Sequence, residues 1–125
     1  MTLPTSSPIP TIDVLEAERR LREDPDGPIL LDVRETNEFE EMRAPGAVLV
    51  PTSMFMTRVD EIPADRPLMV VCHLGGRSAA VAGFQIRAGR TDVVNVAGGM
   101  DAWERAGLPL RRGPVDPGEG DFQTS

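Results

Sequence analysis

The sequence predicts an α/β domain built on a mainly parallel sheet with helices on both faces. Two short apolar runs, residues 29–33 and 68–72, have the composition of strands that are covered on both faces. Segments with helical patterns alternate with such runs, which is typical of parallel sheets. Ligands bind such sheets beyond the carboxyl ends of the strands. Asp32 and Cys72 stand at such ends, so we expect both on one rim.

The composition limits the kinds of function that this chain can have. It has 125 residues, enough for one domain with a single core, and its net charge is −7. An acidic surface argues against nucleic acid and anionic membranes as partners. The sequence shows no secretory signal and no apolar run long enough for a membrane span. A single cysteine excludes an internal disulfide, so we expect a cytoplasmic protein.

The first part of the chain begins with a Pro/Ser/Thr-rich stretch, and residues 1–10 are predicted to form a flexible arm. Asp13 is a good helix N-cap, and Glu16 lies three residues later, as in a capping box. Val14, Ala17 and Leu21 then share one apolar face of the helix. The domain is expected to span residues 11–110.

The remaining elements follow from apolar runs and from the Gly and Pro residues between them. Met54, Phe55 and Val59 are expected to face inward from a short helix. The tail, rich in Arg, Gly, Pro and Asp, is predicted to be disordered. The predicted ranges are strands at 29–33, 48–50, 68–72 and 93–96, helices at 35–42, 53–59, 78–88 and 100–106, a loop at 73–77 and a tail at 111–125.

Cys72 lies where a reactive thiol is expected, at the end of a strand and before a Gly-rich turn and a helix. Backbone N–H groups of such a loop and the helix N-terminus stabilise a thiolate. Gly75 and Gly76 let the backbone approach an anion, and Arg77 adds positive charge. A thiol in such a setting can have a pKa of about 3.5–7.5. The alternative is a buried structural cysteine, since free cysteines are often buried.

The chain contains three motifs in this order: Leu-Asp-Val-Arg-Glu at 31–35 with Pro-Gly-Ala at 45–47, Cys-His-Leu-Gly-Gly-Arg-Ser at 72–78, and Asn-Val-Ala-Gly-Gly-Met-Asp-Ala-Trp at 95–103 with Gly-Leu-Pro at 107–109. Together they resemble the motifs of the rhodanese (sulfurtransferase) domain family, and the resemblance covers about residues 10–110.

The resemblance implies a rhodanese-like fold and a thiosulfate sulfurtransferase activity without a cofactor. Cys72 would accept a sulfane sulfur as a persulfide and pass it to cyanide, a small thiol or a protein thiol. Arg77 would help to hold an anionic donor such as thiosulfate, and Asp32 and Arg34 would support the site. The residues expected to contact the substrate are His73, Leu74, Gly75, Gly76, Arg77 and Ser78.

The chain departs from the family pattern at two positions. Many members have a basic residue directly after the cysteine, where this chain has His73. Donor affinity could therefore depend on pH if the imidazole faces the anion. The first motif often carries His before Ile-Pro-Gly-Ala, whereas Arg43 and Ala44 precede Pro-Gly-Ala here. This second change is expected to affect structure more than chemistry.

Individual side chains also have alternative roles. His73 could act as a general base for Cys72, although adjacent residues rarely direct both side chains at one atom. Arg34 is expected to form a surface or structural ion pair with Glu35 or Glu38. Trp103 is expected in the core. One Cys and one His cannot complete a zinc site, so we expect no metal.

Two other function classes compete with the sulfurtransferase. Cysteine phosphatases and arsenate reductases resemble this loop, but they place five residues between Cys and Arg, whereas four separate Cys72 from Arg77 here. The loop therefore suits a single sulfur better than a phosphate. A non-catalytic rhodanese-like module is the other alternative, although such modules usually lose the cysteine. A sulfur carrier that is loaded by a protein persulfide also remains open.

Overall fold

A computed structural model describes residues 9–122 as an α/β fold with one five-stranded sheet. Every neighbouring pair of strands is parallel, and the strand order is β1-β5-β4-β2-β3. The strands are β1 (Thr11–Ile12), β2 (Ile29–Asp32), β3 (Val48–Leu49), β4 (Leu68–Val71) and β5 (Val93–Val96). The predicted α/β class and parallel sheet are confirmed.

Helices cover both faces of the sheet. They are α1 (Val14–Glu23), α2 (Thr36–Glu41), α3 (Phe55–Arg58), α4 (Gly76–Arg87) and α5 (Gly99–Arg105). Side chains of α3 and α4 pack on one face, against alternate residues of the strands such as Leu31 and Val70. Side chains of α1, α2 and α5 pack on the other face, against Leu30 and Met69.

The helix α1 forms because it has a capping residue at its start and one buried apolar face. The Asp13 carboxylate accepts the backbone N–H of Glu16 at 2.8 Å and so caps α1, as expected. Val14 and Ala17 are buried, and Leu21 packs beside them. The Glu16 side chain does not complete a capping box; it pairs with two arginines of the next turn.

Two short elements differ from the predicted ones. β1 lies where no strand was predicted, because a two-residue strand has no periodicity to detect. The helix expected at 53–59 is broken into α3 with a 3-10 turn on each side. Phe55 is buried there, but Met54 is 48% exposed, so its predicted inward position is wrong.

The prediction of a disordered tail from residue 111 is wrong for residues 111–122, which pack along the domain. The backbone of Arg111 pairs with that of Arg43, and the Gly120 carbonyl accepts the N–H of Leu49 on the edge strand β3. The guanidinium of Arg43, buried in the domain, binds both carboxylate oxygens of Glu119 at 2.6 and 2.9 Å. Backbone hydrogen bonds and this ion pair together hold a segment with little apolar content, which we call the C-terminal strap (residues 111–122).

The predicted N-terminal arm falls largely outside the described residues, as does the end of the tail at 123–125. Of that arm, the structure describes Ile9 and Pro10. Ile9 packs on the core, and the Pro10 carbonyl accepts the N–H of Asn95. Within residues 9–122, no helix is long and apolar enough to cross a membrane.

Candidate functional site

The two side chains expected on one rim of the sheet do lie there. β2 and β4 are neighbours, and Asp32 at the end of β2 is in register with Val71 at the end of β4. Cys72 follows directly, and its residue is only 1% exposed. The loop that starts at this cysteine therefore begins at the carboxyl edge of the sheet, between β2 and β5.

The loop folds back so that its own polar groups surround the sulfur. Gly75 has a φ of +115°, a left-handed conformation that glycine adopts without steric cost, and it caps α4. Its N–H points at Cys72 Sγ at 3.0 Å. The hydroxyl of Ser78, in the first turn of α4, lies 3.3 Å from the same sulfur. These donors suit a negatively charged sulfur.

The pKa of the Cys72 thiol reflects two opposed effects. Burial raises the pKa, because it removes water from the charged form. Hydrogen bonds from the Ser78 hydroxyl and from the N–H groups of Ser78, Gly75 and Leu74 favour the thiolate and outweigh burial. The net effect is a pKa below that of a free cysteine, which makes Cys72 a better nucleophile near neutral pH.

The N-terminus of α5 supports the loop from its other side. The N–H of Met100 donates to the Cys72 carbonyl at 2.8 Å, and that of Asp101 donates to the His73 carbonyl at 3.0 Å. Gly99 has a φ of +58°, and a Cβ there would lie 2.4 Å from the Cys72 oxygen. This close approach of two backbones requires glycine, so Gly99 fixes the start of the loop.

Arg77 lies beside the site, but its charge is already paired. Its two terminal nitrogens donate to the Glu38 carboxylate at 2.6 and 2.8 Å. This bidentate hydrogen bonding holds the pKa of Glu38 at about 2 and raises that of Arg77. The side chain of Arg77 is 38% exposed, so it can still meet a ligand, but an anion would compete with Glu38 for it.

Arg34 forms a buried, structural ion pair with Asp32, and not with Glu35 or Glu38, the partners expected for it. The guanidinium donates to both Asp32 oxygens, and its Nη2 also donates to the Met42 carbonyl at 2.6 Å. Nη1 donates to the Glu38 carbonyl at 3.2 Å. The pair thereby ties the end of α2 to the end of β2 and positions the helix that carries Glu38.

The remaining loop side chains face outward. His73 and Leu74 are exposed, Leu74 by 67%, and His73 makes no side-chain hydrogen bond to another described residue.

Among residues 9–122, no group of three or more His, Cys, Asp or Glu side chains is placed to hold a metal ion. Trp103 lies in the core, as expected, and donates to the Pro109 carbonyl.

Sequence reasoning missed three residues around the cysteine: Glu38, Asn95 and Gly99. Asn95 is buried on β5, and its amide oxygen lies 2.6 Å from the Ser78 hydroxyl oxygen. An amide in an otherwise apolar strand was the available signal for it. Glu38 gave no comparable signal, because it lies 39 positions from its partner Arg77 in the sequence.

Comparisons with known proteins bear on the family to which this chain belongs. The model of the family described as "Rhodanese-like domain" matches residues 13–106. A protein of Actinobacillus succinogenes named "Thiosulfate sulfurtransferase GlpE" is 37% identical over 66% of this chain and 74% of its own length. A Bacillus subtilis protein named "Putative sulfur carrier protein YrkF" is 34% identical over 78% of this chain and 52% of its own.

Solved structures give the same answer for the fold. The crystal structure of a rhodanese-related protein from Thermoplasma volcanium aligns with a TM-score of 0.71 and 27% identity, over 82% of this chain and 97% of that one. Apart from the Gly-Leu-Pro of residues 107–109, the three motifs around Asp32, Cys72 and Gly99 lie within the residues that the family model matches. The chain therefore belongs to the rhodanese-like domain family.

Proposed function

We propose that the protein is a sulfurtransferase that carries a sulfane sulfur on Cys72. The observation that supports this most directly is the set of donors around one sulfur: the N–H of Gly75 at 3.0 Å and the hydroxyl of Ser78 at 3.3 Å. They favour a thiolate before the reaction and a persulfide anion after it. The relatives named for sulfur transfer and sulfur carriage support the same chemistry.

The first half-reaction takes sulfur from the donor. The Cys72 thiolate attacks the outer sulfur of thiosulfate, a new S–S bond forms, and the old S–S bond breaks so that sulfite leaves with its electron pair. Because Cys72 is 1% exposed, a donor can present only a small terminal atom to it. A transferred sulfur meets that condition, whereas a phosphate ester needs a wider loop.

The second half-reaction returns the enzyme to its starting state. A nucleophile such as cyanide or a thiolate attacks the outer sulfur, and the bond to Sγ breaks with its electrons returning to Cys72. This chain contains one cysteine, so the acceptor must be a separate molecule. We place the reaction in a reducing compartment, the cytoplasm, where such thiols are available.

The residues of the loop have distinct parts in this proposal. The N–H groups of Leu74, Gly75 and Ser78 hold the sulfur anion, and Arg77 contacts an anionic donor when Glu38 releases it. His73 and Leu74 lie at the exposed mouth, where a donor or acceptor would first make contact. Asp32 and Arg34 act only by holding α2 in place.

The experiment compares wild type with Cys72→Ser after incubation with thiosulfate and removal of the excess. Intact-mass measurement should show a gain of one sulfur on the wild type alone, and cyanide should then release thiocyanate from that sample. Wild type without an adduct and without thiocyanate would refute the proposal. Hydrolysis of a phenyl phosphate that depends on Cys72 would favour a phosphatase instead.

A further inference from the structure

Asn95 is an amide in a position where the fold otherwise places apolar side chains. It lies on β5, and alternation along the strand puts it with Val93 on the face that α4 covers. Its residue is 8% exposed, so its polar atoms need partners inside the protein. Those partners are Ser78 and the Gly75 carbonyl, both of which lie in residues 72–78, the segment that we call the cysteine loop.

The Ser78 hydroxyl has more acceptors than it has hydrogens. Its oxygen lies 2.6 Å from the Asn95 amide oxygen, 3.1 Å from the Gly75 carbonyl oxygen and 3.3 Å from Cys72 Sγ. A hydroxyl donates one hydrogen. With the amide oxygen facing it, the hydroxyl donates along the shortest of these contacts, to Asn95. The hydrogen bond to sulfur that favours the thiolate forms when that amide oxygen turns away.

Rotation of the Asn95 amide by half a turn reverses this arrangement. The oxygen and nitrogen of an amide exchange places with almost no change of shape. The nitrogen would then donate to the Ser78 oxygen, and the hydroxyl hydrogen would be free for Cys72. The cost is the loss of the weak bond from the amide nitrogen to the Gly75 carbonyl, which is 3.4 Å long, and the approach of two acceptor oxygens in its place. A thiolate repays that cost, because hydrogen bonds to charged groups are the stronger ones.

We infer that Asn95 is a positioning residue whose amide determines whether the Ser78 hydroxyl donates to the sulfur of Cys72. With a neutral thiol, the amide oxygen faces Ser78, and the S–H can donate to the serine oxygen. With a thiolate or a persulfide anion, the amide nitrogen faces Ser78, and the hydroxyl donates to sulfur. The persulfide part of this inference rests on the proposed function, whereas the thiolate part does not.

The other charged groups near the sulfur are unchanged when Asn95 is replaced. Arg77 on α4 is close enough to Cys72 for the thiolate to raise the pKa of the arginine, and Glu38 on α2 pairs with it. Asp32 and Arg34 neutralise each other at the end of β2, and His73 adjoins the cysteine in the loop. A change at Asn95 alters none of these side chains, so its effect on the thiol can be isolated.

The test replaces Asn95 by Asp, whose carboxylate can only accept a hydrogen bond. The Ser78 hydroxyl should then stay with residue 95, and the thiol pKa should rise by about one unit or more. The readout is the pH dependence of alkylation by iodoacetamide, which needs no sulfur donor and so is independent of sulfurtransferase activity. Asn37→Asp, on the exposed surface of α2, controls for a new negative charge.

A second pair of variants separates the hydrogen bond from the charge. Asn95→Asp made in a Ser78→Ala background retains the effect of the carboxylate but has no hydroxyl to redirect. The rise in thiol pKa that Asn95→Asp causes in the Ser78→Ala background should therefore be clearly smaller than the rise that it causes in the wild-type background. Equal shifts in the two backgrounds would refute the inference.

A measurement on the wild type covers the case in which Asn95→Asp does not fold. The chain has two asparagines, Asn37 and Asn95, so their side-chain amides are easily told apart by NMR after ¹⁵N labelling. The Asn95 amide resonances should shift as Cys72 ionises, while those of Asn37 stay constant. The same titration in Ser78→Ala should leave both unchanged. Asn95 amide chemical shifts that stay constant while Cys72 ionises in the wild type would also refute the inference.

Discussion

Replacing Glu38 by Gln should strengthen the binding of an anionic sulfur donor. Glu38 occupies the forked end of Arg77 with two hydrogen bonds, at 2.6 and 2.8 Å, so a donor such as thiosulfate must displace it. Glutamine removes the negative charge and keeps an oxygen that can accept the N–H of Glu35, a bond of 3.0 Å that caps α2. The change therefore removes the charge and one of the two hydrogen bonds that hold Arg77, while the helix keeps its start.

The size of the effect follows from the exposure of the pair. The side chains of Arg77 and Glu38 are 38% and 27% exposed, so solvent screens much of their attraction. We assign the competition about 1 kcal/mol, the upper end of the range for exposed pairs. That corresponds to roughly a fivefold lower KM for thiosulfate. kcat should change little, because the donors to Cys72 Sγ are untouched.

The assay is the rate of thiocyanate formation with cyanide as acceptor, measured against thiosulfate concentration at low and high ionic strength. The gain should shrink at high salt, since screening weakens the freed charge. Glu41→Gln, an exposed change on the same helix, should leave KM as in wild type. A KM that is unchanged or raised in Glu38→Gln would show that Glu38 orients Arg77 for the donor instead of competing with it.

Three further predictions concern stability. Gly99→Ala should lower the free energy of unfolding by about 1–3 kcal/mol and slow alkylation of Cys72, because its Cβ meets the Cys72 carbonyl; unchanged alkylation in a folded variant would contradict this. Arg43→Ala should lower the free energy of unfolding, measured in urea, by about 3–5 kcal/mol and expose residues 111–122 to proteases. Arg105→Ala removes an exposed ion pair and should have neither effect. Arg43 holds the pKa of Glu119 at about 2, below the usual 4.5, so wild type should lose stability as pH falls from about 4.5 to about 2. A deficit of Arg43→Ala that stayed constant over that pH range would refute the linkage.

Much of the fold could be predicted because its strands carry strong local patterns. The run at 29–33 and the run at 68–72 contain almost nothing but apolar residues, and both form central strands that are buried on both faces. Proline and glycine mark the turns between the elements. These features act within a few residues of one another, which is the range over which a sequence pattern can be recognised.

The C-terminal strap shows what local patterns cannot reveal. Its composition predicts disorder, yet Arg43 pairs with Glu119 across 76 positions of sequence. Arg43 also donates to the Gly113 carbonyl at 2.8 Å, so a single buried guanidinium satisfies several groups of the strap. Arg43 stands where the family often has histidine. The expectation that this departure serves structure is in keeping with these contacts.

The cysteine loop combines both situations. Its position and its glycines were evident from the sequence, because a lone thiol between a strand and a helix is a local feature. The groups that adjust the sulfur and its loop come from elsewhere: Asn95 from β5 and Gly99 from the start of α5. A β5 strand moved by one residue would direct Asn95 to the opposite face and leave the Ser78 hydroxyl with Cys72 and Gly75 alone. The chemistry of the thiol therefore depends on the register between β4 and β5, Met69 opposite Val94 and Val70 opposite Asn95, as much as on the loop itself.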